Sequence, residues 1–156
     1  DDGYSILNPL LALTANVPPG WVTVRNGIDV LITAPSGLQR FSVSGLGPSA
    51  WKQGTSLRIR RFRNDDQPTP DEAVFMLHSL LVRFGSRSDK FDSNIGTEPG
   101  ARLVYTSDDG YWRTLAGVSV VGEATYLFEL GCPIEFIEEC DSSLSAILTG
   151  VNFSDG

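Results

Sequence analysis

Residues 101–107 (ARLVYTS), the triplet Asp108-Asp109-Gly110 and residues 111–121 (YWRTLAGVSVV) read as two strands joined by a tight turn. Residues 124–130 (ATYLFEL) read as a third strand. The strands are rich in β-branched and aromatic residues, and Asp-Gly is a hairpin dipeptide because its glycine accepts positive φ. Gly131-Cys132-Pro133 closes the strand pattern. An acidic stretch with apolar residues at helical spacing follows, and Val151-Asn152-Phe153 reads as a short last strand. Strand–strand–strand–helix–strand is an order that lays a helix across an antiparallel sheet. This stretch decides the fold class, but it carries no catalytic motif, and none stands out elsewhere in the chain.

Working outward, a helix is expected over about 134–149, with Ile137, Cys140, Leu144, Ile147, Leu148 and Val151 on one side and Gly150 ending it. A second helix is expected over 70–84. Thr69 stands at its N-cap, Pro70 at the first helical position, and Glu72 completes a capping box. Ala73, Val74, Leu77, Leu80, Leu81 and Phe84 form its apolar stripe, and Gly85 is a natural stop. Residues 86–100 read as a long polar connection with room for one short strand, anchored by Phe91 and Ile95. Toward the N-terminus, 4–17 reads as one extended, mostly buried segment, and Pro18-Pro19-Gly20 as a turn. Strands are expected over 21–25 and 28–33 about an Asn26-Gly27 hairpin, then over 40–44 and 56–63. Residues 45–54 form a loop holding Trp51. Antiparallel strands with two helices and no βαβ alternation give an α+β fold, and the 156 residues read as one domain.

The apolar share of 41% supports a core without metal. Net charge is −7, with a pI of about 4.6, so nucleic acid is not an expected partner: phosphate contact needs a basic face. No apolar run reaches the roughly 20 residues that span a bilayer, so direct membrane insertion is not expected. The chain begins at Asp1 rather than methionine. Removal of a targeting segment is the preferred explanation, and excision from a longer polypeptide the other. Cys132 and Cys140 are the two cysteines, and they form no CxxC motif. Either they staple a strand end to the next helix, which points to an oxidising compartment, or they are two free thiols.

Candidate functional residues are few. His78 is the single histidine, so neither a metal pair nor a Ser-His triad is expected, and no GxSxG occurs. Asp65-Asp66 and Asp108-Asp109 lack the spacing of a calcium loop. No metal or cofactor is expected. Arg58, Arg60, Arg61 and Arg63 form the one basic concentration, with Arg58 and Arg60 on one strand face and Arg61 and Arg63 on the other. They either dock an acidic partner through guanidinium forks or sit as a solvated strand end beside Asp65 and Asp66. Trp21 is expected in the core, and Trp51 exposed in its loop. At the hairpin tip, one of Tyr111 and Trp112 must face outward. Trp51, Tyr111, Trp112 and the four arginines are therefore the expected partner-binding residues. Asn152-Phe153-Ser154 matches a glycosylation triplet.

Several packing and turn motifs resemble the PsbP-like superfamily, which also takes in the Ran-binding Mog proteins and DcrB-type lipoproteins. Val17-Pro18-Pro19-Gly20-Trp21 is similar to its early strand start, and Thr69-Pro70-Asp71-Glu72-Ala73 to the start of its first long helix. Gly100-Ala101-Arg102-Leu103-Val104-Tyr105 and Tyr126-Leu127-Phe128-Glu129-Leu130 resemble its meander strands. Phe136, Leu144, Ile147, Leu148 and Phe153 resemble its closing helix and terminal strand. The resemblance implies a twisted antiparallel sheet flanked by helices in an α/β/α sandwich. It also implies a mostly non-catalytic role, as an extrinsic subunit of a membrane complex, a chaperone-like adaptor or an exported lipoprotein. The family has no shared active site, so no catalytic residue carries over. The expectation is a non-catalytic accessory or binding domain outside the cytoplasm, docking on a larger, membrane-associated protein complex. The alternatives are a cytosolic adaptor or secretion chaperone of the same fold, and a hydrolase built on an unrecognised carboxylate pair roughly 5–10 Å apart.

Overall fold

The computed structural model describes residues 3–35, 55–64, 66 and 68–154. The expected strand at 40–44 and the loop carrying Trp51 lie outside these. β1 (Tyr4–Asn8) and β2 (Leu13–Val17) form an antiparallel hairpin where the sequence reads as one extended segment. The reversal is made by Asn8, whose side-chain oxygen accepts a hydrogen bond from the Leu11 amide at 2.8 Å, and by Ala12 at φ 57°. β3 (Val22–Asn26) and β4 (Val30–Thr33) flank the expected Asn26-Gly27 turn, and β5 (Ser56–Arg63) has the expected bounds.

The helix expected over 70–84 is present but broken. α1 (Pro70–Met76) starts on the expected capping box: Thr69 Oγ1 accepts from the Glu72 amide, and the Glu72 carboxylate accepts from the Thr69 amide. Leu77 leaves helical geometry at ψ 2°, and α2 (His78–Leu81) and a 3₁₀ turn (Val82–Phe84) follow. No glycine or proline marks the break. The chain bends there over a twisted sheet while keeping Ala73, Val74, Leu77 and Leu81 buried on it. Gly85 at φ 115° ends the run, and a Cβ there would meet the Thr106 carbonyl oxygen at 2.0 Å.

The connection 86–100 holds a full seven-residue strand, β6 (Ser86–Asp92), with every residue exposed. β7 (Gly100–Thr106), β8 (Trp112–Val121) and β9 (Ala124–Pro133) form the expected meander, with β9 running past Leu130 to Pro133. A 3₁₀ turn (Ile134–Phe136), α3 (Ile137–Thr149) and β10 (Asn152–Phe153) close the chain.

Two sheets result. One is antiparallel and seven-stranded in the order β3-β4-β5-β9-β8-β7-β6; the other is β1-β2-β10. Both faces of the large sheet are packed. On one face α1 and α2 cover Ala101, Leu103, Tyr105, Ala116, Val118 and Leu127. On the other, α3 and the small sheet cover Leu57, Ile59, Leu115, Tyr126, Phe128 and Leu130. Trp21 is buried there, as expected. Tyr126 joins the layers, donating from its hydroxyl to the Leu11 carbonyl and placing its ring 4.6 Å from that of Phe153. Cys132 and Cys140 are bonded, which ties β9 to α3. The fold is α+β, with helices on both sides of the sheet.

Candidate binding cleft

Helices α1 and α2 lie over β7, β8 and part of β9, and among the described residues no helix lies over the β4-β5-β9 side of the same sheet face. There Leu31, Arg58, Arg83, Phe84, Trp112, Thr114, Glu129 and Gly131 line a cleft of about 340 Å³. Register explains how distant residues meet. Leu31 pairs with Arg58, Arg58 with Glu129, and Thr114 with Gly131, so Leu31, Arg58, Glu129 and Thr114 present side chains to one face and Gly131 leaves its backbone bare there. Arg83 and Phe84 arrive from the 3₁₀ turn, which the bend at Leu77 swings over the sheet.

Glu129 sits at the floor, 7% exposed at its side chain, and is gripped by Arg60 and by Arg83 Nη2 at 3.2 Å. Arg58 reaches sideways, its Nε 2.9 Å from Asp29 Oδ2. Asp29 also accepts from Arg25 at 2.5 and 2.8 Å. The Arg25 hydrogen bonds, helped by Arg58 and opposed by burial, hold the Asp29 carboxyl below the usual carboxylate range. Among the described residues, Arg58, Arg60, Arg83 and Arg25 are met by Glu129 and Asp29, so four cations face two carboxylates in this part of an acidic protein. Arg58 and Arg83 remain 41% and 47% exposed at their side chains, so both can turn toward a ligand. The Arg83 guanidinium also lies 4.6 Å from the Phe84 ring centre.

Gly131 makes room for an aromatic wall. A Cβ there would come within 2.7 Å of Trp112 Cζ2, so the indole lies against bare backbone. The Thr114 hydroxyl on this wall is buried without a hydrogen-bond partner, as is Nε of Arg60, whose guanidinium holds Glu129.

The structure brings Arg58, Arg60 and Trp112 together, and strand alternation puts Arg61 and Arg63 on the opposite face, as expected. Among the described residues, the carboxylates that answer Arg58 and Arg60 are Asp29 and Glu129. Tyr111 is the outward aromatic of the hairpin tip, 47% exposed. The tip is turn chemistry: Asp109 accepts from Ser107 and from the Tyr111 amide, and Gly110 has φ 78°. His78 is exposed on α2, away from the cleft lining. Sequence reasoning missed Arg83, Thr114 and Glu129. Only Glu129 carried a signal, as a lone acid inside the apolar run of β9, where a charge requires a partner. Among the described residues, no group of three or more His, Cys, Asp or Glu side chains is placed to hold a metal ion, and no helix is long and apolar enough to cross a membrane.

No family model matches the sequence, and no curated protein matches it. Solved structures do match the fold. A cyanobacterial PsbP from Synechocystis superposes with a TM-score of 0.67 at 10% identity, over 97% of this chain and 92% of that one. The chain has the PsbP-like fold. The yeast Ran-binding protein Mog1p shares the PsbP-like fold at a TM-score of 0.59 and 10% identity, covering 99% of this chain and 96% of its own. A Bacteroides thetaiotaomicron structure matches at 0.61 and 13% identity over 98% of this chain, which spans only 49% of that one. At such identities the likeness concerns the backbone.

Proposed function

We propose that the chain is a non-catalytic binding or accessory domain that docks on a protein partner through the cleft face and the adjoining hairpin tip. The observation that carries this is the grouping of Arg58, Arg83 and Trp112 along the cleft, with Arg60 bound to Glu129 at its floor. Arginine and tryptophan are the residue types that most often dominate interface energy. Both buried carboxylates of this region are engaged by guanidiniums, which makes them supports rather than general acids or bases. That one protein of this fold is a Ran-binding protein is in keeping with a protein-binding role. The Cys132–Cys140 bond favours work in an oxidising compartment outside the cytoplasm, where a membrane-associated complex is the partner implied by the PsbP-like resemblance.

Site-specific photo-crosslinkers at positions 58, 111 and 112, and at 51 for the loop carrying Trp51, are expected to trap one discrete protein in the native compartment. A crosslinker at exposed Glu138 on α3 serves as the control face. Equal capture from both faces, or from neither, defeats the docking reading. Counting thiols on protein isolated without reductant decides the compartment: none is expected, and two would favour a cytosolic adaptor.

A further inference from the structure

Resting on that reading and deepening it, we propose that the cleft is a carboxylate site that takes an aspartate or glutamate side chain of the partner, flanked by apolar residues. The first support is unmet bonding. Thr114 is 1% exposed and lines the cleft, yet its Oγ1 has no partner. Arg60 Nε is a second buried, unpaired donor, on the guanidinium that grips Glu129 at the cleft floor. Buried polar atoms are rarely left so, and the Thr114 hydroxyl is a spare donor on the wall of the cleft. The second support is charge. Arg58 and Arg83 keep exposed guanidiniums with donors to spare after their bonds to Asp29 and Glu129. An incoming carboxylate accepts from both, in the forked geometry that guanidinium provides.

Glu129 sets the remaining charge. Held at the floor by Arg60 and Arg83, it takes up part of their positive charge and leaves Arg58 and Arg83 as the two exposed cations, a pair that one carboxylate fork matches. The walls decide between a free acid and a peptide. Leu31, Phe84 and Trp112 offer apolar surface on the sides of the cleft, which a lone small acid leaves uncovered and the neighbours of a peptide's acidic residue fill. The volume of about 340 Å³ accommodates one side chain with part of its neighbours and no more.

The test titrates the isotope-labelled full chain with acetyl-Leu-Glu-Leu-amide, acetyl-Leu-Gln-Leu-amide, acetate and methyl phosphate, following amide and arginine Nε–H signals by NMR. The glutamate peptide is expected to shift residues 112–114, 129–131 and the Arg58 and Arg83 side chains, and to bind at least about tenfold more tightly than its glutamine counterpart. Arg83→Gln is expected to weaken it several-fold, with Glu129 still held by Arg60. Thr114→Val is expected to weaken it with the remaining spectrum unchanged, the two residues sharing shape and β-branching. Equal binding of the glutamine peptide, or no response in the cleft, overturns the proposal. Acetate matching the glutamate peptide overturns the peptide source, and methyl phosphate outcompeting it overturns the carboxylate. These readouts need no natural partner. Failure here with successful crosslinking leaves docking intact by other contacts, and cleft binding without any crosslinked protein defeats the docking reading instead.

Discussion

Asp29 shows how one side chain organises an edge of the sheet. It is buried, it lies in the β3–β4 turn, and it accepts from Arg25 within its own hairpin and from Arg58 on the second strand over. Because the folded state holds its carboxyl below the unfolded value of about 3.9, its contribution to stability is present above that pH. The contribution is lost as pH falls through the lowered folded value. Comparing urea unfolding of the wild type and Asp29→Asn at pH 7 and pH 3 checks this. The stability gap between them is expected to shrink markedly at the lower pH, and a gap that does not change with pH would remove Asp29 from the acid response. Arg58, bound to the same carboxylate, is thereby kept poised at the cleft.

At the level of elements, the helices and strands differ in how far their own residues specify them. α1 is specified locally, by its Thr69–Glu72 capping box, Pro70 and acidic first turn. β6 is not. Ser86–Asp92 shows no apolar alternation and buries nothing, and it is a strand because β7 offers a free edge to pair with. Its charges and the register shift between Arg87 and Asp89 protect the new edge from further pairing. The join between β9 and α3 is covalent. The Cys132–Cys140 bond closes a short loop and stabilises the fold by about 2–3 kcal/mol in the chain-entropy model. Paired Cys132→Ser and Cys140→Ser changes should lower denaturant stability by that order without shifting the amide signals of the distant β6–β7 pair. Unchanged stability would make the bond incidental to folding.

The whole molecule is a sheet with two cores, and β8 and β9 contribute to both. Leu115, Tyr126, Phe128 and Leu130 point to one core, and Ala116, Val118 and Leu127 to the other. Opening either core therefore disturbs strands that the other one needs. Native-state hydrogen exchange should find its slowest amides in β8 and β9, with the edge strands β3 and β6 exchanging far sooner. Slowest exchange in α1 instead would mean that the two cores open independently. The same layout explains why the cleft exists. A seven-stranded sheet is wider than the short helical run on its α1–α2 face, so part of that face stays open, and polar residues occupy it.

The meander, both helices, the capping box, the Asn26-Gly27 turn and the buried Trp21 were legible in the chain because each rests on neighbours along it: alternation, helical spacing or turn chemistry. The N-terminal hairpin was obscured because its turn has no glycine, and the break at Leu77 because it answers to the curvature of the sheet below. The cleft was legible only in pieces. Arg58, Arg60 and Trp112 stood out by type, but Arg83 and Thr114 gain meaning only when β5, β8, β9 and the turn after α2 come side by side. What the sequence by itself determined was the set of elements and their α+β class, since these follow from local patterns. The tertiary structure alone decided the partners of the cleft's charges and the shape of the open face, since these depend on register between strands far apart in the chain.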